Sequence, residues 1–151
     1  MAAKYQKPDW LTKNVFNPLV ALLMRLGMSV RGSRVLAVQG RKTGKWYTTP
    51  VNPLPFEGAR YLVAPRGNTH WVRNIRASGT GELRLGRKRE TIRVEELPDA
   101  TKVPLLRAYL KYWAWEVGQF FGGVKADAPE EDLRRIAPDH PVFRILDGAS
   151  G

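Results

Sequence analysis

The chain has 151 residues, 43% of them hydrophobic, and its formal net charge at pH 7 is +11. This length and composition suit a single folded domain over residues 1–151 and exclude disorder over the whole chain. Because there is no cysteine and there are only two histidines, a disulfide framework, a thiolate metal site and an all-histidine metal site are excluded, and redox chemistry would require an organic cofactor.

The positive charge is concentrated in the middle of the sequence. Residues 31–93 carry a net charge of +11, whereas residues 1–30 carry +3 and residues 94–151 carry −3. A surplus confined to one segment indicates one electropositive surface that binds either a nucleic acid or a small polyanion. A basic face that serves only solubility is the alternative.

Residues 1–30 are predicted to form a helical segment. Asn17 as N-cap, Pro18 at the first helical position and Gly27 beyond the end delimit an apolar helix. It could pack on the core, cover a cofactor or touch a membrane surface. The longest apolar run, Leu19 to Met24, is too short to span a bilayer, and no signal-peptide pattern precedes it. We therefore expect a cytoplasmic protein, with peripheral membrane contact through this helix as an option.

Residues 31–97 predict an antiparallel meander that closes into a small barrel or sandwich. Short β-type runs alternate with turns that contain glycine or proline. A short helix over Thr69–Ala77, with Asn68 as its N-cap, is expected between the third and fourth strands. The predicted strands are Ser33–Gln39, Trp46–Val51, Arg60–Ala64, Glu82–Leu85 and Lys88–Leu97.

Residues 98–139 predict helices, and residues 140–147 predict a closing strand. Apolar residues from Leu105 to Val117 follow the 3.6-residue period of a helix, and a further helix contains Glu130–Ile136. The aromatic side chains of the first helix could form a lid over a substrate, or they could be core. His140 is expected at the surface or in a capping role.

The loop from Gly40 to Lys45 has the composition of an anion-binding turn. Its glycines let the backbone approach a phosphate, Thr43 offers hydroxyl and amide donors, and Arg41 and Lys42 add positive charge. The glycine spacing, together with the strand that follows, excludes a Walker A loop. An ordinary basic hairpin turn is the alternative.

Three segments together, LAVQGRKTGKWYTTPVNP, GARYLVAPRG and HWVRNIRA, resemble the deazaflavin-dependent nitroreductase family of actinobacteria. The matching features run from about Leu19 to Val94, and the closing APDHPVFRIL segment is also similar to that family. The resemblance implies an α+β fold, a split β-barrel of mainly antiparallel strands with flanking helices. It also implies coenzyme F420 as the cofactor, with FMN less favoured.

This coenzyme carries a phosphodiester and an oligoglutamate tail, so the resemblance accounts for the basic segment. The implied cofactor-binding residues fall into a phosphate and tail group, a ring-lining group and a closing group. The first contains Gly40, Arg41, Lys42, Thr43 and Gly44 with Arg66 and Gly67; the second contains Thr49, Pro50, Val51, Val63, Ala64 and Pro65; the third contains Trp71 and Asn74.

The resemblance further places tyrosines of the C-terminal region against the substrate. The candidate catalytic residues are Tyr109, Tyr112 and His70, and the candidate pocket residues are Trp113, Trp115 and Phe120. Many family members have Ser-Lys where this chain has Pro65-Arg66, and a proline is common where it has His70. These departures bear on substrate preference more than on cofactor binding.

The sequence therefore predicts an F420-dependent oxidoreductase that transfers a hydride to a quinone, a nitroaromatic or an activated enone. A homodimer without a nucleic-acid partner or a bound metal is expected. Two alternatives stay open. One is a nucleic-acid-binding barrel that uses Trp46, Tyr47 and Trp71 as stacking platforms, and the other is a non-catalytic carrier of the coenzyme.

Overall fold

The computed structural model describes residues 33–146, except for the side chains of Trp115 and Glu116. The predicted N-terminal helix and its membrane contact lie outside the described residues. None of the helices within 33–146 is long and apolar enough to cross a membrane.

Seven antiparallel strands form one sheet in the order β2-β1-β5-β6-β7-β4-β3. The antiparallel pairing is confirmed, but the predicted simple meander is wrong, because β1 pairs with both β2 and β5, and β7 lies between β6 and β4. The strands are β1 Arg34–Gln39, β2 Trp46–Val51, β3 Leu54–Phe56, β4 Ala59–Val63, β5 Thr80–Leu85, β6 Lys88–Glu96 and β7 Val142–Leu146.

The strand β3 was not predicted as a separate element. It has three residues, one of them Pro55, and forms a tight hairpin with β4 through Glu57 and Gly58, whose φ angles are +48° and +81°. Consecutive positive φ angles match the twist of a two-residue hairpin. A run this short carries too little alternation to be recognised in the sequence.

The connection between β2 and β3 requires the sheet to curl. These strands stand at opposite ends of the sheet order, yet only Asn52 and Pro53 separate them. Three residue steps span at most roughly 10 Å, which is far less than the width of a flat seven-stranded sheet. The two ends of the sheet must therefore approach each other, and the sheet forms a barrel.

Side-chain alternation gives the sheet two buried faces. On β4, Leu62 points into the barrel and Val63 points away, and on β7 Phe143 and Val142 do the same. We call the inner cluster the barrel core; it contains Leu36, Val38, Val51, Leu62, Ala64, Val72, Ile75, Leu83, Ile92, Phe143 and Ile145. We call the outer cluster the helical core; its members include Leu54, Val63, Leu106, Tyr109, Leu110, Trp113, Phe121, Leu133 and Val142.

Of the three α-helices within residues 33–146, two pack on the sheet and the third packs mainly on one of them. Helix α1, His70–Ser78, packs against β1, β2 and β5, whereas α2, Val103–Val117, packs against β3 and α3, Glu130–Ile136. Together with the curled sheet they confirm the α+β split barrel. The predicted cap of α1 was wrong by one residue: Thr69, not Asn68, precedes the helix, and Asn68 accepts a hydrogen bond from Arg76.

Candidate functional site

A cavity of about 460 Å³ opens between the β1–β2 hairpin and the start of α1. Its wall combines the hairpin turn, the inner face of β2 and the first turns of α1. The residues that line it are Val38, Gly40, Arg41, Lys42, Thr43, Tyr47, Thr48, Thr49, Arg66, Thr69, His70, Trp71 and Asn74.

The turn from Gly40 to Lys45 is held by its own backbone. The amide of Gly40 donates to the carbonyl of Lys45 at 2.7 Å, and the amide of Gly44 donates to the carbonyl of Gly40 at 2.9 Å. Gly44 has a φ of +73°, a conformation that glycine adopts without strain. The side chains of Arg41 and Lys42 extend from this fixed turn and are exposed.

Tyr47 lies over the same turn. A Cβ atom added to Gly40 would lie 2.7 Å from Cε2 of Tyr47, so the ring packs directly on the glycine. The Tyr47 hydroxyl is 3.5 Å from Oγ1 of Thr43, and 52% of the residue is exposed. Because the cross-strand partner of Tyr47 is Val38 on the barrel side, its ring stands at the mouth of the cavity.

The first turn of α1 supplies the opposite wall. Thr69 is 5% exposed, and its Oγ1 atom has no hydrogen-bond partner among the described residues. His70 is exposed and Trp71 is half-buried against the ring of Phe143 in the barrel core. The helix has no acidic residue in its first turn, so the partial positive charge of its N-terminus is not neutralised locally.

Asn74 connects the two walls. It is 4% exposed, and its Oδ1 atom accepts hydrogen bonds from the Arg41 amide at 3.1 Å and from Nη1 of Arg41 at 2.7 Å. The wall therefore carries Arg41, Lys42 and Arg66, and no aspartate or glutamate is among its residues. Such a surface attracts an anion.

The structure brings together nine of the residues that the sequence singled out for cofactor binding or catalysis. Their functional roles stay predictions, but their common location is a structural fact. The nine residues on the cavity wall are Gly40, Arg41, Lys42, Thr43, Thr49, Arg66, His70, Trp71 and Asn74.

Three residues predicted to line the coenzyme ring belong to the hydrophobic core. Val51 and Ala64 pack in the barrel core, and Val63 packs in the helical core. None of the three is among the residues that line the cavity. Val63 points to the opposite face of β4 from Leu62, whereas Val51 and Ala64 are buried inside the barrel core. Four further predicted residues, Gly44, Pro50, Pro65 and Gly67, are not among the residues that line the cavity.

The aromatic residues considered for a lid divide between the helical core and the surface. Tyr109 is 2% exposed and Trp113 is 4% exposed, and both belong to the helical core, which does not border the cavity. Tyr112 is 48% exposed and Phe120 is half-buried, but neither lines the cavity. The side chain of Trp115 lies outside the described residues.

His140 is not at the surface, but the expected capping role is confirmed: it is the C-cap of the short 3-10 helix Ala137–Asp139, and its amide donates a hydrogen bond to the Ala137 carbonyl at 3.1 Å. His140 is 2% exposed and stacks on Phe121, with ring centroids 4.1 Å apart. Burial lowers its pKa to about 4, because the charged imidazolium loses its hydration. Arg76, on the exposed side of α1, pairs with Glu96 through two hydrogen bonds of 2.7 Å.

Four cavity residues were missed by the sequence reasoning or were given little weight. Tyr47 shares the inner face of β2 with Thr49, and this alternation was a usable signal. Thr69 was marked only as the start of a helix. Nothing in the sequence indicated Val38 or Thr48.

Within residues 33–146, no group of three or more histidine, aspartate and glutamate side chains is arranged to hold a metal ion.

Solved structures resemble this fold at low sequence identity. An F420-H2-dependent reductase is 17% identical over 77% of this chain and 95% of its own, with a TM-score of 0.54. A protein described as a domain-swapped dimer is 16% identical over 85% and 95%, with a TM-score of 0.56. A conserved hypothetical protein from Mycobacterium tuberculosis is 16% identical over 83% and 78%, with a TM-score of 0.51. These likenesses support the split-barrel fold.

No curated protein sequence matches the chain significantly. A family model does match it, over residues 19–119, and that family is described as F420H(2)-dependent quinone reductase. The match covers more than half of the chain, including β1 to β6, α1, α2 and every residue of the cavity wall. Coenzyme F420 is thus the cofactor, and the chain belongs to the family of F420-dependent quinone reductases.

Proposed function

We propose that the protein transfers a hydride from reduced coenzyme F420, bound in this cavity, to a small electron-poor acceptor such as a quinone, a nitroaromatic or an activated enone. The observation that carries the proposal is the cavity itself: within the described part of the chain, its wall has three cationic side chains and no acidic residue. A polyanionic cofactor would neutralise this wall. The family match supports the quinone class, and the other acceptors extend it by chemistry.

The residues on the wall fit a ligand rich in anionic oxygen. Arg41, Lys42 and Arg66 would hold the phosphate and the tail through charge-assisted hydrogen bonds. The buried hydroxyl of Thr69 has no partner within residues 33–146, and an unsatisfied buried hydroxyl costs free energy. A ligand oxygen at this position would remove that cost.

The reduced coenzyme, when bound, supplies the hydride, and the protein supplies binding, orientation and a proton source. A quinone or an enone that accepts a hydride gains negative charge on its oxygen. It therefore also needs a proton. Tyr47 and His70 are the wall residues whose side chains could donate one at the open end of the cavity. Trp71 and Val38 provide apolar wall for planar rings.

The test is a pair of titrations at matched ionic strength. We expect coenzyme F420, followed by its fluorescence, to bind with micromolar or tighter affinity and a single-stranded oligonucleotide to bind much more weakly. Preferential binding of the oligonucleotide would support the nucleic-acid alternative and overturn the proposal. Addition of menadione or a nitroaromatic to the complex with reduced coenzyme should oxidise it; failure across a panel of acceptors would favour the carrier.

Thr69→Val examines the fit of the ligand without changing the shape of the side chain. We expect the variant to bind the coenzyme several-fold more weakly and to unfold at the same or a higher temperature, since it lacks the unpartnered hydroxyl. Unchanged affinity with unchanged stability would show that no ligand oxygen reaches Thr69.

We further infer a homodimer. Among the described strands, β2 pairs with β1 alone, and it exposes Trp46 and Tyr47 by about half. An open edge with exposed aromatic residues suits contact with a second copy. Sedimentation velocity over a hundredfold concentration range should show a dimer; a monomer throughout would contradict this inference. The cytoplasmic location and the membrane contact remain sequence predictions.

A further inference from the structure

The guanidinium of Arg41 is held by a neutral side chain and not by a carboxylate. Arg34 and Arg107 also donate hydrogen bonds to neutral acceptors, but these are backbone carbonyls. Within residues 33–146, the arginines that take part in ion pairs are held by carboxylates: Arg60 by Glu90, Arg76 by Glu96 and Arg84 by Glu82, with further pairs on α3 and near Glu82. None of these ion pairs includes Arg41. Its partner is the carboxamide of Asn74, which is neutral.

The identity of the accepting atom follows from its neighbours. Both groups that point at it, the backbone amide and the guanidinium of Arg41, can only donate hydrogen bonds. The atom must therefore be the carbonyl oxygen of the carboxamide and not its nitrogen. One oxygen thus fixes both the backbone of the turn and the guanidinium end of the Arg41 side chain to helix α1.

A neutral acceptor and a carboxylate differ in how much of the guanidinium's positive charge remains available to a ligand. Either would fix the guanidinium, but a carboxylate at 2.7 Å would cancel its charge as seen from the cavity. The carboxamide fixes the group and leaves the full positive charge, with its remaining N–H donors, available. Because Asn74 is buried, no water competes strongly for its oxygen.

We propose that Asn74 is a positioning residue that acts through Arg41: it holds the guanidinium at the cavity wall through a neutral oxygen, so that the charge stays uncompensated for an anionic group of the coenzyme. This inference rests on the proposed function. It assigns Asn74 a role different from direct contact with the coenzyme. Preorganisation of this kind raises affinity because the ordering cost is met before binding.

Two substitutions of Asn74 distinguish the loss of the hydrogen-bond acceptor from the addition of a negative charge beside Arg41. Asn74→Asp keeps the shape and the acceptor but adds a negative charge, and we expect coenzyme affinity to fall about 30-fold or more, as for loss of a charged hydrogen bond. Asn74→Ala removes the acceptor, and we expect a fall of about 10-fold. Wild-type affinity in Asn74→Asp would overturn the proposal.

The matched control is Asn68→Asp. Asn68 also accepts a hydrogen bond from an arginine, Arg76, but this pair does not line the cavity and Arg76 is already neutralised by Glu96. The same change of charge, a few residues away, should alter affinity by no more than about threefold. An effect as large as that of Asn74→Asp would show that general electrostatics, and not the tether, is being measured, which would overturn the proposal.

A double-mutant cycle distinguishes positioning from direct contact. If Asn74 acts through Arg41, then Asn74→Ala should change affinity by less than about twofold in an Arg41→Ala background, because the group it positions is gone. If Asn74 itself contacts the coenzyme, the fold-losses in affinity of the two single variants should multiply in the double variant. That result would overturn the proposal. This cycle decides the question even if Asn74→Asp does not fold.

Amide hydrogen exchange, measured without the coenzyme, completes the test. In the free protein, the Arg41 amide should exchange its hydrogen about tenfold faster in Asn74→Ala than in the wild type, because the amide loses its acceptor, and Asn74→Asp should preserve the protection. Equal exchange rates in all three proteins would contradict the tether. Failure of the wild type to bind the coenzyme would instead overturn the proposed function and leave this measurement standing.

Discussion

The cavity wall and the helical core illustrate two uses of polar and aromatic residues in one small protein. The wall is polar, cationic and open, and it retains a buried hydroxyl without a partner. The helical core is apolar and closed, and Tyr109, Trp113, Phe121 and His140 pack in contact with one another along it. Under the proposed function, substitutions on the wall should alter ligand binding, whereas substitutions in the helical core should alter stability.

The largest effect on the free energy of unfolding is expected from a substitution in the helical core. Tyr109→Ala should lower the free energy of unfolding by about 3–5 kcal/mol, since it leaves a cavity among tightly packed aromatic rings. Tyr112→Ala, one turn of helix away and 48% exposed, should cost less than about 1 kcal/mol. Urea unfolding measures both. If Tyr109→Ala folded with near-normal stability but failed to reduce menadione, the helix would be a substrate lid after all.

A second effect in the same core depends on pH. The pKa of His140 in the folded protein is about 4, below the value of about 6.5 expected when unfolded. The unfolded chain therefore binds the extra proton first, so this residue makes stability fall as pH falls through the window from about 6.5 to 4. Between pH 7 and pH 5 we expect a loss of about 2 kcal/mol.

Urea unfolding of His140→Phe across this pH range should lack that part of the pH dependence, because phenylalanine keeps a ring against Phe121 and takes no proton. His70→Gln, at an exposed position on the cavity wall, is the control and should retain the wild-type dependence. A wild-type slope in His140→Phe would mean that His140 is not the group that titrates.

On the cavity wall the expected effect is on binding and not on folding. Lys42→Ala should weaken coenzyme binding about tenfold, as expected for loss of a charged contact, and should leave the unfolding temperature within about 2 °C because the side chain is exposed. Lys88→Ala, an exposed lysine away from the wall, should change neither. An unchanged dissociation constant in Lys42→Ala would remove Lys42 from the site.

The smallest expected effect is at the mouth of the cavity. Gly40→Ala places a Cβ atom 2.7 Å from the Tyr47 ring, but that ring is half exposed and can move, so the loss of stability should be below about 1 kcal/mol. Tyr47→Ala in the same chain should restore the stability. A large loss that Tyr47→Ala does not relieve would show that the turn itself, and not the ring, rejects the side chain.

Local signals explain what could be read from the sequence. The strands β1, β2 and β6 were predicted within one or two residues because each combines β-branched or aromatic residues with a glycine-containing turn. The turn at Gly40 was recognised as an anion-binding candidate from composition alone. Asn74, whose side chain accepts hydrogen bonds from Arg41 of this turn, lies 33 residues further along the chain. No sequence periodicity links Arg41 to Asn74.

The aromatic residues of α2 show the limit of such reading. Tyr109 and Tyr112 differ by three positions and both follow the helical period, yet one is 2% exposed and the other 48%. Their burial depends on which side of α2 meets β3 and α3, and that choice is made by packing over the whole sheet. The family resemblance placed both tyrosines against the substrate, and their spacing could not distinguish a lid from a core.

The sequence by itself determined the charge segment, the antiparallel strands and the family, because these depend on composition, local alternation and short motifs. Only the tertiary structure decided the strand order, the separation of the helical core from the cavity and the partner of Arg41. These features arise when the curled sheet brings distant segments together. The physical reason is that long-range contacts are fixed by closure and packing of the whole domain, which no local pattern encodes.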